Sequence, residues 1–331
     1  MLDHLRFERE CRWAIQVHDP SWTEAAVIRG LNRLPQLQDL QLILNRVRPR
    51  GQTCIQLDLL SGLKKFSLSG DYIFLPRDIV SSLAGLIAKS PQLVHLEVKL
   101  GYYGIFPEST PTLQDVLSKV PEDRPLQLTH LALHNTGILI DSSTLSHLRS
   151  LISLDLRDLP SPFIVINFMD PNSHSEILPV DWTCPTSDIC AVLKQEGIYL
   201  KHVVVSDVEG VFDYLCSYSS LETLDLRSMS FGNVHESNTF ARTFYKSVLP
   251  QLVHSLQVLK IQPKREGRWC FNPEDDFQSI ALFQCNKLRS LSVALKSTSF
   301  LRSINYFSRD CVLHQYKDNL DDAVCPGDLT F

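Results

Sequence analysis

The sequence predicts an α/β fold: an irregular leucine-rich-repeat solenoid, with parallel strands on the concave face and helices and loops on the convex face. Three observations predict it. A short apolar phrase, L-x-x-L-x-L, keeps returning along the chain. The stretches between phrases carry helical periodicity. Prolines sit where those helices should stop. One copy of the phrase cannot bury its own apolar edge, whereas stacked copies can, so the repetition itself implies a solenoid.

The phrase reads Leu37-Leu40-Leu42, then Leu63-Phe66-Leu68, Leu93-Leu96-Val98, Leu128-Leu131-Leu133 and Leu151-Leu154-Leu156. It returns, weaker, as Leu200-Val203-Val205. It then reads Leu221-Leu224-Leu226, Leu256-Leu259-Ile261 and Leu288-Leu291-Val293. Neighbouring copies lie roughly 21 to 49 residues apart, about 31 on average, which is long and uneven for such repeats. Each phrase reads as a short strand. Side chains alternate between faces along a strand, so its two later apolar residues point inward together.

Between phrases, Ile79, Leu83, Leu86 and Ile87 fall on one stripe of a helix over 77–89. Leu113, Val116, Leu117 and Val120 do the same over 112–120, and Ile189, Val192 and Leu193 over 187–196. Phe240, Phe244 and Val248 mark a helix over 237–249, and 275–285 is a further one. Pro91, Pro121, Pro125 and Pro250 are read as stops.

Three stretches break the rhythm. Residues 1–33 read as an N-terminal helical cap, because the end of a solenoid must be shielded. The solenoid itself spans 34–300 in about nine units. Residues 158–188 carry Pro160, Pro162, Pro171, Pro179 and Pro185 and read as a surface excursion, with one extra strand over 163–169. Residues 301–331 lose the phrase and hold Asp310, Asp318, Asp321, Asp322 and Asp328, an acidic cap or tail.

Composition narrows the function classes. The chain has 331 residues, 44% hydrophobic and 21% charged, with a net charge of -5. Lysine and arginine form no block, which disfavours a nucleic-acid interface. No stretch is apolar enough for a secretory signal or a membrane span. The nine cysteines are odd in number and irregular in spacing, so free thiols in a reducing compartment, cytoplasmic or nuclear, are expected. No Gly-rich phosphate loop, G-x-S-x-G or H-E-x-x-H motif occurs.

Several phrases carry a family likeness. Residues 90–98 (Ser90 to Val98), 128–133 (Leu128 to Leu133), 148–156 (Leu148 to Leu156), 214–226 (Tyr214 to Leu226) and the Glu266-Gly-Arg-Trp-Cys-Phe271 loop resemble the repeat region of F-box/leucine-rich-repeat-like proteins of mushroom-forming fungi. The resemblance covers most of residues 30–300. It implies a substrate-recognition subunit of a cullin-type ubiquitin ligase, in which an N-terminal F-box docks onto a small adaptor and the repeats hold the substrate. No F-box is legible ahead of Leu37, so the adaptor is expected as a partner only with an F-box upstream. The repeats also depart from the regular pattern. The asparagine that usually follows each phrase is present as Asn45, but its counterparts are Asp71, Gly101, Thr136, Leu159, Val208, Met229, Lys264 and Lys296.

The candidate binding residues lie between the inward leucines. Parallel strands sit about 4.8 Å apart, so nine of them offer a face about 40 Å long, suited to a protein or peptide. Two phrases read Leu-Asp-Leu-Arg, which makes Asp155, Arg157, Asp225 and Arg227 a candidate mixed-charge patch; the alternative is solvated strand charges that pair with one another. His95 and His130 hold equivalent places in neighbouring repeats, with His134 close by. No carboxylate or cysteine joins them at ligand spacing, so they are read as structural or interfacial, with no metal. Cys184 and Cys190 have no second pair to complete a zinc site. Trp269 and Phe271 are candidate partner anchors, or else a loop that plugs the side of the solenoid.

The expected function is therefore an interaction scaffold without cofactor, nucleic acid or membrane. The alternatives are a stand-alone scaffold or inhibitor with no ligase link, and an enzyme built on the 158–188 excursion or the Trp269 loop, with Cys270 or His174 at its centre.

Overall fold

The computed structural model describes residues 9–15, 21–44, 55–70, 77–100, 112–134, 136–138, 140–157, 186–208, 210–229, 231, 233–272, 276–295, 314–316 and 328–330. These fall into two compact units, the first ending at Leu151 and the second holding Ile152–Arg157 and everything described from Thr186 on. No helix among the described residues is long and apolar enough to cross a membrane.

The first unit runs β1 (Glu10–Ile15), α1 (Ser21–Leu31), β2 (Asp39–Leu44), β3 (Lys65–Gly70), α2 (Arg77–Ala88), β4 (His95–Leu100), α3 (Leu113–Leu117), β5 (His130–His134) and α4 (Ser142–Leu148). Its strands β1 to β5 lie side by side in sequence order, every pair parallel. The register aligns Leu40 with Phe66 and Leu42 with Leu68. It continues through Leu96 with Leu131 and Val98 with Leu133. All of these side chains are buried.

The second unit runs β6 (Ser153–Arg157), α5 (Thr186–Gln195), β7 (His202–Val205), α6 (Val211–Leu215), β8 (Thr223–Met229), α7 (Val234–Thr243), α8 (Leu249–Leu252), β9 (Val258–Pro263), α9 (Asp276–Phe283), β10 (Ser290–Ala294), β11 (His314–Tyr316) and β12 (Asp328–Thr330). Strands β6 to β10 are again parallel neighbours in sequence order. Strand β12 pairs antiparallel with β10 and with β11.

A backbone ladder ties successive strands in both units. At the start of β2 to β5 and of β7 to β10, two consecutive N–H groups donate to one carbonyl at the start of the strand before. Gln38 and Asp39 share the Arg9 carbonyl, Lys64 and Lys65 share Gln38, Val94 and His95 share Lys64, and Thr129 and His130 share Val94, all at 2.8–3.2 Å. In the second unit the accepting carbonyls are Ile152, Lys201, Glu222 and Gln257, at 2.8–3.1 Å. At the asparagine position, Thr136, Val208 and Met229 are buried instead.

Side chains from the helical layer complete the junctions. The Leu63 N–H donates to Ser90 Oγ at 3.2 Å, and the Leu126 N–H donates to His147 Nδ1 at 2.9 Å. In the second unit the Tyr214 hydroxyl accepts from the Leu200 N–H at 3.0 Å and donates to the Ile198 carbonyl at 2.7 Å. Each satisfies a buried backbone group that would otherwise be costly to desolvate. Gly210 has φ of +71°, and a side chain there would meet Ser187 Cα at 2.3 Å, so only glycine fits where α5 and α6 approach.

The structure corrects three expectations. Residues 1–33 are not wholly helical, because β1 precedes α1 and joins the sheet with Cys11, Trp13 and Ile15 in the apolar columns. Those residues do not spell the leucine phrase, so the ten parallel strands outnumber the nine phrases. Within the 301–331 stretch, read as an acidic cap or tail, the described residues form β11 and β12, which is no departure from that expectation. Pro250 opens a helical segment rather than closing one. The chain turns as a π-helix over Phe244–Val248 and continues as α8 with Pro250 in its first turn. Proline has no N–H, so the Lys246 carbonyl lacks its usual i+4 donor, and the widened turn lets the helix continue. The strand expected over 163–169 and the excursion at 158–188 lie largely outside the described residues.

Candidate functional site

The alternation that buries the leucines brings the intervening residues onto the opposite strand face. In the second unit the register aligns Asp155 with Val204, Val204 with Asp225, and Asp225 with Lys260. Arg227 aligns with Gln262 one step further on. The sequence-predicted patch is therefore assembled: Asp155 and Arg157 on β6 and Asp225 and Arg227 on β8, with β7 between them.

Each arginine is held by the aspartate two residues before it. Arg157 donates from Nε to Asp155 Oδ1 at 2.7 Å and from Nη2 to Asp155 Oδ2 at 2.5 Å, a bidentate pair. Arg227 donates from Nε to Asp225 Oδ2 at 2.8 Å, with Nη2 at 2.8 Å from the same oxygen. Residues i and i+2 share a strand face, which is why Leu-Asp-Leu-Arg produces this geometry twice. Within each pair the arginine is the more exposed partner. The Asp225 side chain is 5% accessible and that of Arg227 35%. Asp225 Oδ1 is buried and accepts no hydrogen bond among the described residues. On β7, His202 Nδ1 lies 3.0 Å from Thr223 Oγ1.

The first unit arms the corresponding positions of its own strands differently. His95 and His130 stack, with ring centroids 5.3 Å apart and planes at 26°. Lys65 Nζ reaches across strands to Asp39 Oδ2 at 3.2 Å. Glu97 pairs with Lys99 and lies 3.9 Å from His95 Nε2. Burial lowers the His95 pKa, Lys65 and Lys99 lower it further, and Asp39 opposes them. A neutral imidazole is the form that stacks without repulsion on its neighbour. No trio of His, Cys, Asp or Glu among the described residues is arranged to hold a metal ion.

Trp269 and Phe271 are not anchors. Trp269 is 0% exposed and Phe271 is buried beside it in sequence. The indole packs against Phe212 at 6.4 Å, Phe231 at 6.0 Å and Phe244 at 5.6 Å between centroids. The loop is held by Gln278, whose side chain donates to the Arg268 carbonyl at 2.6 Å and accepts from the Asn272 N–H at 2.9 Å. Cys270 is buried with it, which removes the thiol from solvent; His174 lies outside the described residues.

Sequence reasoning missed a pocket at the ends of β8 and β9, beside the start of α7. Where β8 and β9 end, Met229, Phe231, Asn233, Pro263, Lys264 and Arg265 help line an open pocket of about 90 Å³. Lys264 comes directly after β9, where the chain bends, and its N–H reaches the Met229 carbonyl at 3.4 Å. Neither a family model nor a curated protein matches this chain.

Proposed function

We propose that this chain is a leucine-rich-repeat scaffold that binds a protein partner on the strand face of its second unit. The single observation that carries the reading is the pair of ordered Asp–Arg couples on β6 and β8. They occupy matching register positions on the face that the buried leucines leave open. Arginine held in a fixed fork loses little side-chain freedom on binding, which favours it at protein contacts.

The test is affinity capture with mass spectrometry, comparing the parent chain with Asp155→Asn/Arg157→Gln/Asp225→Asn/Arg227→Gln. Neutralising both members of each couple avoids leaving Asp225 buried and unmatched, which reversal of Arg227 alone would do. Loss of the captured partner with an unchanged circular dichroism spectrum supports the reading, and undiminished capture removes these residues from the site. An F-box-binding adaptor and a cullin among the captured proteins would extend it to a ubiquitin-ligase substrate receptor. Their absence leaves the stand-alone scaffold.

A further inference from the structure

We infer that the β8–β9 end of this face takes an acidic peptide segment, whose carboxylates seat on Lys260, Lys264 and the outer edge of Arg227. The inference rests on the protein-binding reading above and names the chemistry of the partner.

The carboxylates of this region are already engaged or shielded. Asp225 has one oxygen on the Arg227 fork and the other buried. Glu222, just before β8, is taken up by Lys201 at 2.9 Å. Arg227 uses its Nε and Nη2 on Asp225, which leaves Nη1 outside the couple. Lys260 lies beside Asp225 in the register, and Lys264 follows directly after β9 ends at Pro263, exposed beside the pocket. Among the described residues neither lysine makes an ion pair. Arg265 and Lys264 then line the pocket at the strand ends, where Glu266 is the one carboxylate among the lining residues. What this end offers a partner is therefore mostly hydrogen-bond donors carrying positive charge, although the whole chain has a net charge of -5. Charge complementarity selects a segment rich in Asp or Glu, lying along the strands toward the pocket.

The test uses two fluorescein-labelled peptides, a ten-residue Glu-Ser repeat and a ten-residue Lys-Ser repeat. Each is titrated with the full chain and followed by fluorescence anisotropy. The Glu-Ser peptide should bind and the Lys-Ser peptide should not. Affinity should fall roughly tenfold between about 50 and about 300 mM salt as the Debye length shortens. Lys260→Glu/Lys264→Glu should weaken binding at least about tenfold, while Lys260→Arg/Lys264→Arg keeps it. Both lysines lie outside the core, so these variants should retain the parent spectrum. Equal binding of the two peptides, no binding of the acidic one, or an unaffected double-Glu variant would overturn the acidic occupant. If protein capture still falls in the neutralised-couple variant in that case, the scaffold reading stands without it; if capture is indifferent as well, both fall.

Discussion

The two units share one backbone plan and carry different chemistry on it. In each, five parallel strands follow sequence order, and every strand after the first starts with two N–H groups on one carbonyl beside its neighbour. The first unit uses lysine pairs, Lys65–Asp39 across strands and Lys99–Glu97 within β4, together with a stacked histidine pair. The second uses Asp–Arg couples closed within a single strand. The comparison teaches that the ladder and the leucine columns set the architecture, while the alternate positions are left free to diverge. Binding chemistry is then a property of a unit rather than of the repeat.

The sharpest break between the units should come from their cores. The second unit has a loop tryptophan inside an aromatic cluster, and the first has no described equivalent. Trp269→Ala should cost about 3–5 kcal/mol of stability. Trp269→Phe should cost much less, because the indole N–H has no acceptor among the described residues to lose. Urea unfolding midpoints of the two variants measure the difference.

Next in size is the contrast between charge pairs. Arg227→Ala leaves Asp225 buried with its partner removed and should cost about 3 kcal/mol. Lys65→Ala in the first unit breaks a pair whose lysine side chain is 54% exposed, and should cost about 0–1 kcal/mol. Equal effects on the thermal midpoint would show that the Asp225 environment is wetter than its burial indicates.

The smallest contrast is in pH response. The Leu126 N–H of the first unit donates to an imidazole, whereas the Leu200 N–H of the second donates to a phenol. Burial lowers the His147 pKa below its ordinary 6.5, against an opposing pull from Asp141. The folded chain therefore binds fewer protons than the unfolded chain as pH falls below 6.5. The stabilising contribution of His147 is whole above that pH and is lost as pH falls through it. Burial pushes the Tyr214 hydroxyl up to about 12, far from this range. Hydrogen exchange at pH 5 against pH 7.5 should show the Leu126 amide opening more readily, relative to intrinsic rates, while Leu200 is unchanged. His147→Gln should abolish the difference between the two pH values.

The columns of the sheet were legible because a two-residue period and buried leucines leave little freedom of register. Asp155, Val204, Asp225 and Lys260 fall side by side as their phrases predict. Strand β1 was not legible, because Cys11 and Trp13 occupy columns that leucine fills elsewhere. Helix α4 shows no apolar stripe because Thr144 and His147 fill two of its buried positions, and α6 shows none because Val211, Phe212, Tyr214 and Leu215 are all buried and leave no polar face to contrast. The burial of Trp269 depends on Phe212, Phe231 and Phe244, which are distant in sequence, so no local pattern distinguishes a plug from an anchor. The couples at Asp155–Arg157 and Asp225–Arg227 were legible as spacing, whereas the unequal exposure of their partners, which points the donors outward, was not.

The account turns on which unit meets the partner. A photo-cross-linking amino acid at Val204 on β7 and another at Ala132 on β5 sample the same register position in the two units. Irradiation in extract should attach a partner protein to the Val204 variant and leave the Ala132 variant bare. Adducts from Ala132 alone, or equal adducts from both, would contradict it.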